Sequence, residues 1–371
     1  MRPPAEVTYA EELAALAAHD SHPRPPGWQL SPRGVRQFIL GVEGGGLEHA
    51  WQGKPVQTVI TPKFLGDDAL VERCIVTLLG HRGLLLVGDP GTAKSMLSEL
   101  LAAAICGCSL LTIQGTAGTT DDQVKYSWNY ALLLAEGPTP RALVPSPLYS
   151  AMKSGAIARF EEITRCQPEI QDTLVSILSE KCLHVPELAG AEGVLFAGRG
   201  FNLVATANLR DRGVHEMSSA LKRRFNFETV APLADRELEL RLVRDQTAAL
   251  LGESGVRVEC PAEVLELLVT TFNDLRHGRT GEGTVVDKPS TVMSTAEAVA
   301  VSHAAALDAA YFGRGRLEPG HVARQLLGAV LKDNPDDLPK LAHYFDVVVK
   351  ARGKTSQPWR QFHEAKKWLR R

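Results

Sequence analysis

Residues Leu84-Leu85-Leu86-Val87-Gly88-Asp89-Pro90-Gly91-Thr92-Ala93-Lys94-Ser95 constrain this chain more than any other stretch. Four apolar residues without a polar break suit a strand covered on both faces, as in parallel sheets flanked by helices. The strand runs into a glycine-bearing turn, and a helix opens at Lys94. Gly88 and Gly91 permit backbone angles that aim several N–H groups at an anion, and the positive end of the helix dipole adds to that attraction. Such a turn would cradle phosphates through Gly88, Asp89, Pro90, Gly91, Thr92 and Ala93. Lys94 would reach the β- and γ-phosphates, and Ser95 would hold Mg²⁺. The usual pattern has glycine two positions before the Ser/Thr; Ala93 stands there instead.

A phosphate loop of this kind needs a carboxylate at the end of a neighbouring strand, to hold the metal and polarise the attacking water. The apolar run 156–160 ends in the adjacent pair Glu161 and Glu162, at the carboxyl edge where parallel sheets bind ligands. Glu161 takes the metal role and Glu162 the water-activating role, although Asp is commoner at the first position. A further run, Phe201-Asn202-Leu203-Val204-Ala205-Thr206-Ala207, ends at Asn208. An amide there can donate to a γ-phosphate or position water without trapping product. Lys222, Arg223 and Arg224 form three consecutive cations before Phe225-Asn226-Phe227, which reads as buried. The planar arginine fork suits phosphate oxygens and can act from a neighbouring subunit.

At 371 residues the chain is long for one domain, so two or more units are expected. Residues 1–55 read as an appended N-terminal segment: a helix over 5–19, a proline-rich stretch over 22–27 and an amphipathic piece over 28–40. Its large apolar residues Trp28, Phe38 and Trp51 imply that it docks on something. From 56 to 231 strands alternate with helices, with strands over 84–87, 110–113, 156–160 and 201–205 and one amphipathic helix over 168–181. From 232 to 332 the pattern is helical, over 235–251, 261–275, 291–312 and 319–332. The tail 333–371 ends in a basic stretch that interleaves Trp359, Phe362 and Trp368 with Lys350, Arg352, Lys354, Arg360, Lys366, Lys367, Arg370 and Arg371. Packed aromatics with solvated charges are the favoured reading of that tail, and nucleic-acid binding the other.

A net charge of −2 offers no bulk electrostatic attraction to nucleic acid or membrane. No signal peptide is evident, and no segment approaches the length of a membrane span. The six cysteines include no Cys-x-x-Cys pair, which points to reduced structural thiols in a cytoplasmic protein rather than to zinc or disulfides.

The order of Gly-Asp-Pro-Gly-Thr-Ala-Lys-Ser, Ala-Arg-Phe-Glu-Glu, Ala-Thr-Ala-Asn and Leu-Lys-Arg-Arg-Phe, followed by a helical lid, resembles an AAA+ ATPase over about residues 60–330. More narrowly it resembles the MoxR-like branch, related to the magnesium-chelatase ATPase subunit. That narrower likeness rests on the loop, on the spacer 128–155 resembling the branch's helix-2 insertion, and on the hairpin-like stretch 182–201. The resemblance implies a P-loop NTPase fold, an α/β parallel sheet with helices on both faces followed by an all-α lid. It implies ATP and Mg²⁺ as cofactors, with Lys94 and Ser95 on phosphate and metal and Glu161 as metal carboxylate. Glu162 would be the base, Asn208 the first sensor and Arg224 the arginine finger, with Arg223 as the fallback. It further implies a hexameric ring that remodels or matures a protein client, with a partner carrying a VWA domain. The family's arginine near the start of the third lid helix has no counterpart here, because no Lys or Arg lies between Pro289 and Gly313. Two other functions stand beside this one: a nucleotide-gated assembly module with little turnover, and a nucleic-acid motor.

Overall fold

The computed structural model describes residues 3–208, 213–332 and 334–369. The chain divides into two compact units, one of Met1–Gly88 with Ala93–Val230 and one of Asp89–Thr92 with Ala231–Arg371.

The first unit is built on a five-stranded parallel sheet: β1 (Gly83–Val87), β2 (Thr112–Gln114), β3 (Ile157–Glu161), β4 (Asn202–Ala207) and β5 (Phe225–Thr229). The spatial order is β5-β1-β4-β3-β2, so the loop-bearing strand β1 lies inside the sheet. The unbroken apolar run of β1 has a direct cause. Leu84 and Leu86 enter the apolar cluster on one face of the sheet, Leu85 and Val87 the cluster on the other, as the two-residue period of a strand demands. Val204 and Ile157 join the first cluster, while Leu203, Ala205, Ala158 and Phe160 join the second.

Residues 5–64 help build the first face. Trp28, Leu30, Val35, Phe38 and Ile39 share a core with Leu84 and Leu86. Polar contacts fix the same segment: Asp20 accepts from Ser31 N and Oγ, and Glu6 accepts from Ser109 N and Oγ. Between β2 and β3, the strands Tyr126–Trp128 and Leu143–Pro145 pair antiparallel. They carry between them the helix Tyr130–Glu136, which has no buried residue although its sequence is Tyr-Ala-Leu-Leu-Leu-Ala-Glu.

Several boundaries differ from the sequence reading. The strand expected over 110–113 begins at Thr112, because Thr112 N bonds Leu110 O in a turn and leaves the Leu110 side chain exposed. The helix expected over 168–181 is two helices, Pro168–Asp172 and Leu174–Glu180. Thr173 sits at the junction and its hydroxyl bonds Ile170 O, a back-bond that competes with the helical ladder. β5 was not expected as a strand, and its Phe227 is exposed while Phe225 is buried.

The second unit is helical. Arg236–Glu253, Ala262–His277, Thr295–Tyr311 and Pro319–Val330 surround a core of Val243, Leu268, Phe272, Val301 and Leu326. The C-terminal stretch belongs to this core: Phe362 is buried against Phe345, and Trp359 packs on Phe362. Two of the tail's cations are paired, Arg352 with Asp274 and Glu282, and Lys366 with Asp346. Arg370 and Arg371 lie outside the described residues. Among the described residues no helix is long and apolar enough to cross a membrane.

Candidate nucleotide site

The loop after β1 has the backbone its sequence demanded, with one departure from the usual residue. Gly91 has φ +77°, and Ala93 at the N-cap of the helix Lys94–Cys106 has φ 67° and ψ 21°. That is the left-handed region, where a Cβ costs about 1 kcal/mol relative to glycine. The alanine therefore adopts the conformation for which a glycine would be the ordinary choice. Within the loop Thr92 Oγ1 donates to Asp89 O at 2.9 Å, and the buried Lys94 folds its Nζ back onto Gly88 O at 3.0 Å.

β3 and β4 bring four of the expected residues together. Ser95 Oγ donates to Glu161 Oε2 at 2.7 Å, which joins the first turn of the loop helix to the end of β3. Thr206 Oγ1 donates to the same Oε2 at 2.7 Å and accepts from Glu162 N at 3.0 Å, so one hydroxyl fixes the Glu161 carboxylate and the Glu162 backbone. Glu162 leaves the strand at φ 56° and ψ 42°, a left-handed placement that costs a non-glycine residue on the order of 1 kcal/mol. Its Oε1 accepts from Asn208 Nδ2 at 2.8 Å and its Oε2 from Arg165 Nε at 3.3 Å.

Behind Glu161 lies a residue to which the sequence reading assigned no role. Arg159, two positions earlier on the same face of β3, is only 9% exposed. Its guanidinium donates to Glu161 Oε1 (2.8 Å), Ser95 O (3.0 Å), Ser98 Oγ (3.0 Å), Ser109 O (2.9 Å) and Thr112 Oγ1 (3.3 Å). Ser98 Oγ in turn donates to Glu161 Oε1 at 2.7 Å. Burial pushes the Glu161 carboxyl upward, but the hydroxyls of Ser95, Ser98 and Thr206 and the charge of Arg159 outweigh it, and the group is held below its ordinary range. The signal for Arg159 was its parity with Glu161 on a strand, and for Ser98 its place one helical turn after Ser95.

The two arginines differ. Arg223 is exposed. Arg224 is half-buried and donates from Nε to Ser179 Oγ and from Nη1 to Ala220 O.

A hydroxyl and an ionised carboxylate side by side at the end of the loop make a hard-oxygen pair of the kind Mg²⁺ takes. The left-handed turn ahead of them is the kind of backbone that presents N–H groups to phosphate.

The comparisons with known proteins agree with this architecture. Residues 83–225 match the AAA domain of the dynein-related subfamily, and residues 237–370 match the YehL-like AAA+ ATPase C-terminal domain. The chain is 50% identical over 366 residues to the uncharacterised protein YehL of Escherichia coli (strain K12), covering 98% of this chain and 96% of that one. It is 28% identical over 130 residues to the protein MoxR of Paracoccus denitrificans, covering 35% of this chain and 37% of that one. An uncharacterised protein of Staphylococcus aureus (strain USA300) is 28% identical over 151 residues, 39% of this chain and 54% of that one. A P-loop α/β sheet followed by a helical C-terminal region defines the class, that of the AAA+ proteins. Within that class the chain belongs to the YehL-like AAA+ ATPases of the MoxR-like branch.

Proposed function

We propose that this protein hydrolyses ATP with Mg²⁺ in an oligomeric ring and uses the cycle to remodel or mature a protein client, together with a VWA-domain partner. The observation that carries the reading is the contact of Ser95 with Glu161, next to the Glu162–Asn208 pair at the same sheet edge. Ser95 and Glu161 would hold Mg²⁺, which when bound neutralises charge on the phosphate oxygens. Lys94 would exchange its bond to Gly88 O for the β- and γ-phosphates. Glu162 would accept the proton of the attacking water on a carboxylate oxygen. Each of its oxygens accepts one bond, from Asn208 and Arg165, and keeps a further lone pair for that proton. Asn208 thereby couples the base to the end of β4. Arg224, with Arg223 as the alternative, would complete a neighbour's site.

Support for a protein client comes from the helix Tyr130–Glu136, where Leu134 is 89% exposed and Tyr130 is 69% exposed. An apolar helix held out on a two-stranded hairpin suits contact with another polypeptide. Phe362 is fully buried inside the second unit, which removes it from any nucleic-acid surface, and Trp359 is half-buried against it.

Sizing by light scattering tests the ring. With ATP and the Glu162→Gln variant we expect a ring-sized species, and with Lys94→Ala, which loses the loop's cation, a smaller one. A monomer under every nucleotide condition would contradict the ring.

A further inference from the structure

Three donor atoms of different kinds converge at the hairpin Cys182–Phe196, outside the nucleotide site. The helix Leu174–Glu180 ends at Glu180, and Lys181, at φ 53°, turns the chain into the strand Cys182–His184. Strand alternation places Cys182 and His184 on one face, while Leu183 between them enters the apolar core beneath the sheet. The left-handed turn at Lys181 folds Glu180 over the same face. Cys182 Sγ lies 3.7 Å from Glu180 Oε2 and 3.9 Å from His184 Nε2. All three donor atoms lie within 4.8 Å of one another. Among the described residues the side chains of Glu180 and His184 have no other hydrogen-bond or ion-pair partner.

We propose that Glu180, Cys182 and His184 bind one zinc-class divalent cation, with water in the fourth position. Zinc bonds of about 2.3 Å to sulfur and about 2.0–2.2 Å to nitrogen or oxygen, at a tetrahedral angle, set the sulfur about 3.6 Å from either partner. The observed separations of 3.7 and 3.9 Å exceed this by a few tenths of an ångström, a gap that rotation of the exposed Glu180 and His184 side chains closes. A thiolate with an imidazole and a carboxylate favours Zn²⁺ or Co²⁺ over Mg²⁺, which prefers oxygen alone. The charges also balance. Binding releases the Cys182 thiol proton to the buffer, and thiolate and carboxylate then offset the two charges of the cation. Glu180 and His184 are exposed while Cys182 is buried, so a cation would reach the thiol from the side on which Glu180 and His184 face solvent. The Glu-x-Cys-x-His spacing contains no Cys-x-x-Cys pair, which is why a count of cysteine pairs passes over it.

The site is tested without ATP. The full chain, stripped with a chelator and free of nucleotide, is titrated with Co²⁺ while thiolate-to-cobalt charge-transfer absorption is followed. Zn²⁺ affinity is then measured by competition with a chromophoric chelator. One equivalent per chain with a charge-transfer band is expected. Cys182→Ser should abolish the band, and His184→Ala should weaken Zn²⁺ binding at least tenfold. Cys260→Ser, a cysteine in the other unit, should change neither. If Cys182→Ser does not fold, the exposed His184→Ala and Glu180→Gln variants carry the test through affinity alone. Absence of the band in the parent chain, or Zn²⁺ affinity indifferent to both His184→Ala and Glu180→Gln, would overturn the proposal.

Discussion

Arg159 Nη2 donates to Glu161 Oε1 at 2.8 Å, and the five donor bonds of this buried guanidinium tie β3 to the loop helix and to β2. Removing one partner of such a pair strands a buried charge, which costs about 3–5 kcal/mol. Arg159→Met should therefore lower stability by about 3 kcal/mol, read from the denaturant midpoint. Arg159→Lys keeps the charge but cannot span five acceptors, and should recover only part of the loss. Arg159→Met combined with Glu161→Gln should cost clearly less than the sum of the two single changes; additive losses would mean the contact carries no coupling.

Ala93 offers a second test. Its left-handed φ of 67° is strained for alanine, but glycine in its place gives up chain entropy of similar size. Ala93→Gly should leave stability and nucleotide affinity within about 1 kcal/mol of the parent. Ala93→Val, with a branched Cβ in the same region, should lose more than that. Nucleotide titrations followed by calorimetry, alongside thermal melts, compare the two.

For the arginines, Arg224→Ala should bind ATP in its own pocket and fail to turn it over, a loss on the order of 10³-fold. Mixing it with Glu162→Gln subunits should restore part of the activity, because some interfaces then pair an intact base with an intact finger. Co-assembled mixtures without rescue would assign Arg224 to its bonds with Ser179 and Ala220, and Arg223→Ala would become the test of the exposed arginine.

In the helical unit, the bidentate bond from Arg352 holds the Glu282 carboxyl down at about 2. A depressed carboxyl stabilises fully above its ordinary value of 4.5 and loses that contribution as pH falls toward 2. The stability gap between the parent and Glu282→Gln should thus be constant above pH 4.5 and close on acidification through that window. A gap that grows on acidification would contradict the pairing. Glu282 is exposed and screened, so the gap itself should be small.

How far the sequence carried this reading differs from residue to residue. The four apolar residues of β1 announced a strand buried on both faces because each face of the sheet takes two of them. The loop, the two glutamates and Asn208 were legible because their chemistry is local to strand ends. Arg159 was not, since a lone arginine inside an apolar strand is informative only once its acceptors on three other segments are known. Thr206 escaped for the same reason, and Ser98 because its place one helical turn after Ser95 gains meaning only with its bond to Glu161. The break at Thr173 was hidden because Ile170, Leu174, Ile177 and Leu178 keep helical spacing across it. β5 was missed because it is a short edge strand: Phe225 and Phe227 share one face by the period of two, yet only Phe225 is buried and Phe227 is exposed.

The most direct test of the central claim is steady-state phosphate release from ATP by the full chain and by Glu162→Gln, each with Mg²⁺ and with a chelator. The parent should release phosphate only with Mg²⁺, and the variant should retain bound ATP while its rate falls by about 100-fold or more, since an amide cannot accept the water's proton. Hydrolysis by Glu162→Gln at the parental rate, or turnover indifferent to Mg²⁺, would contradict the account.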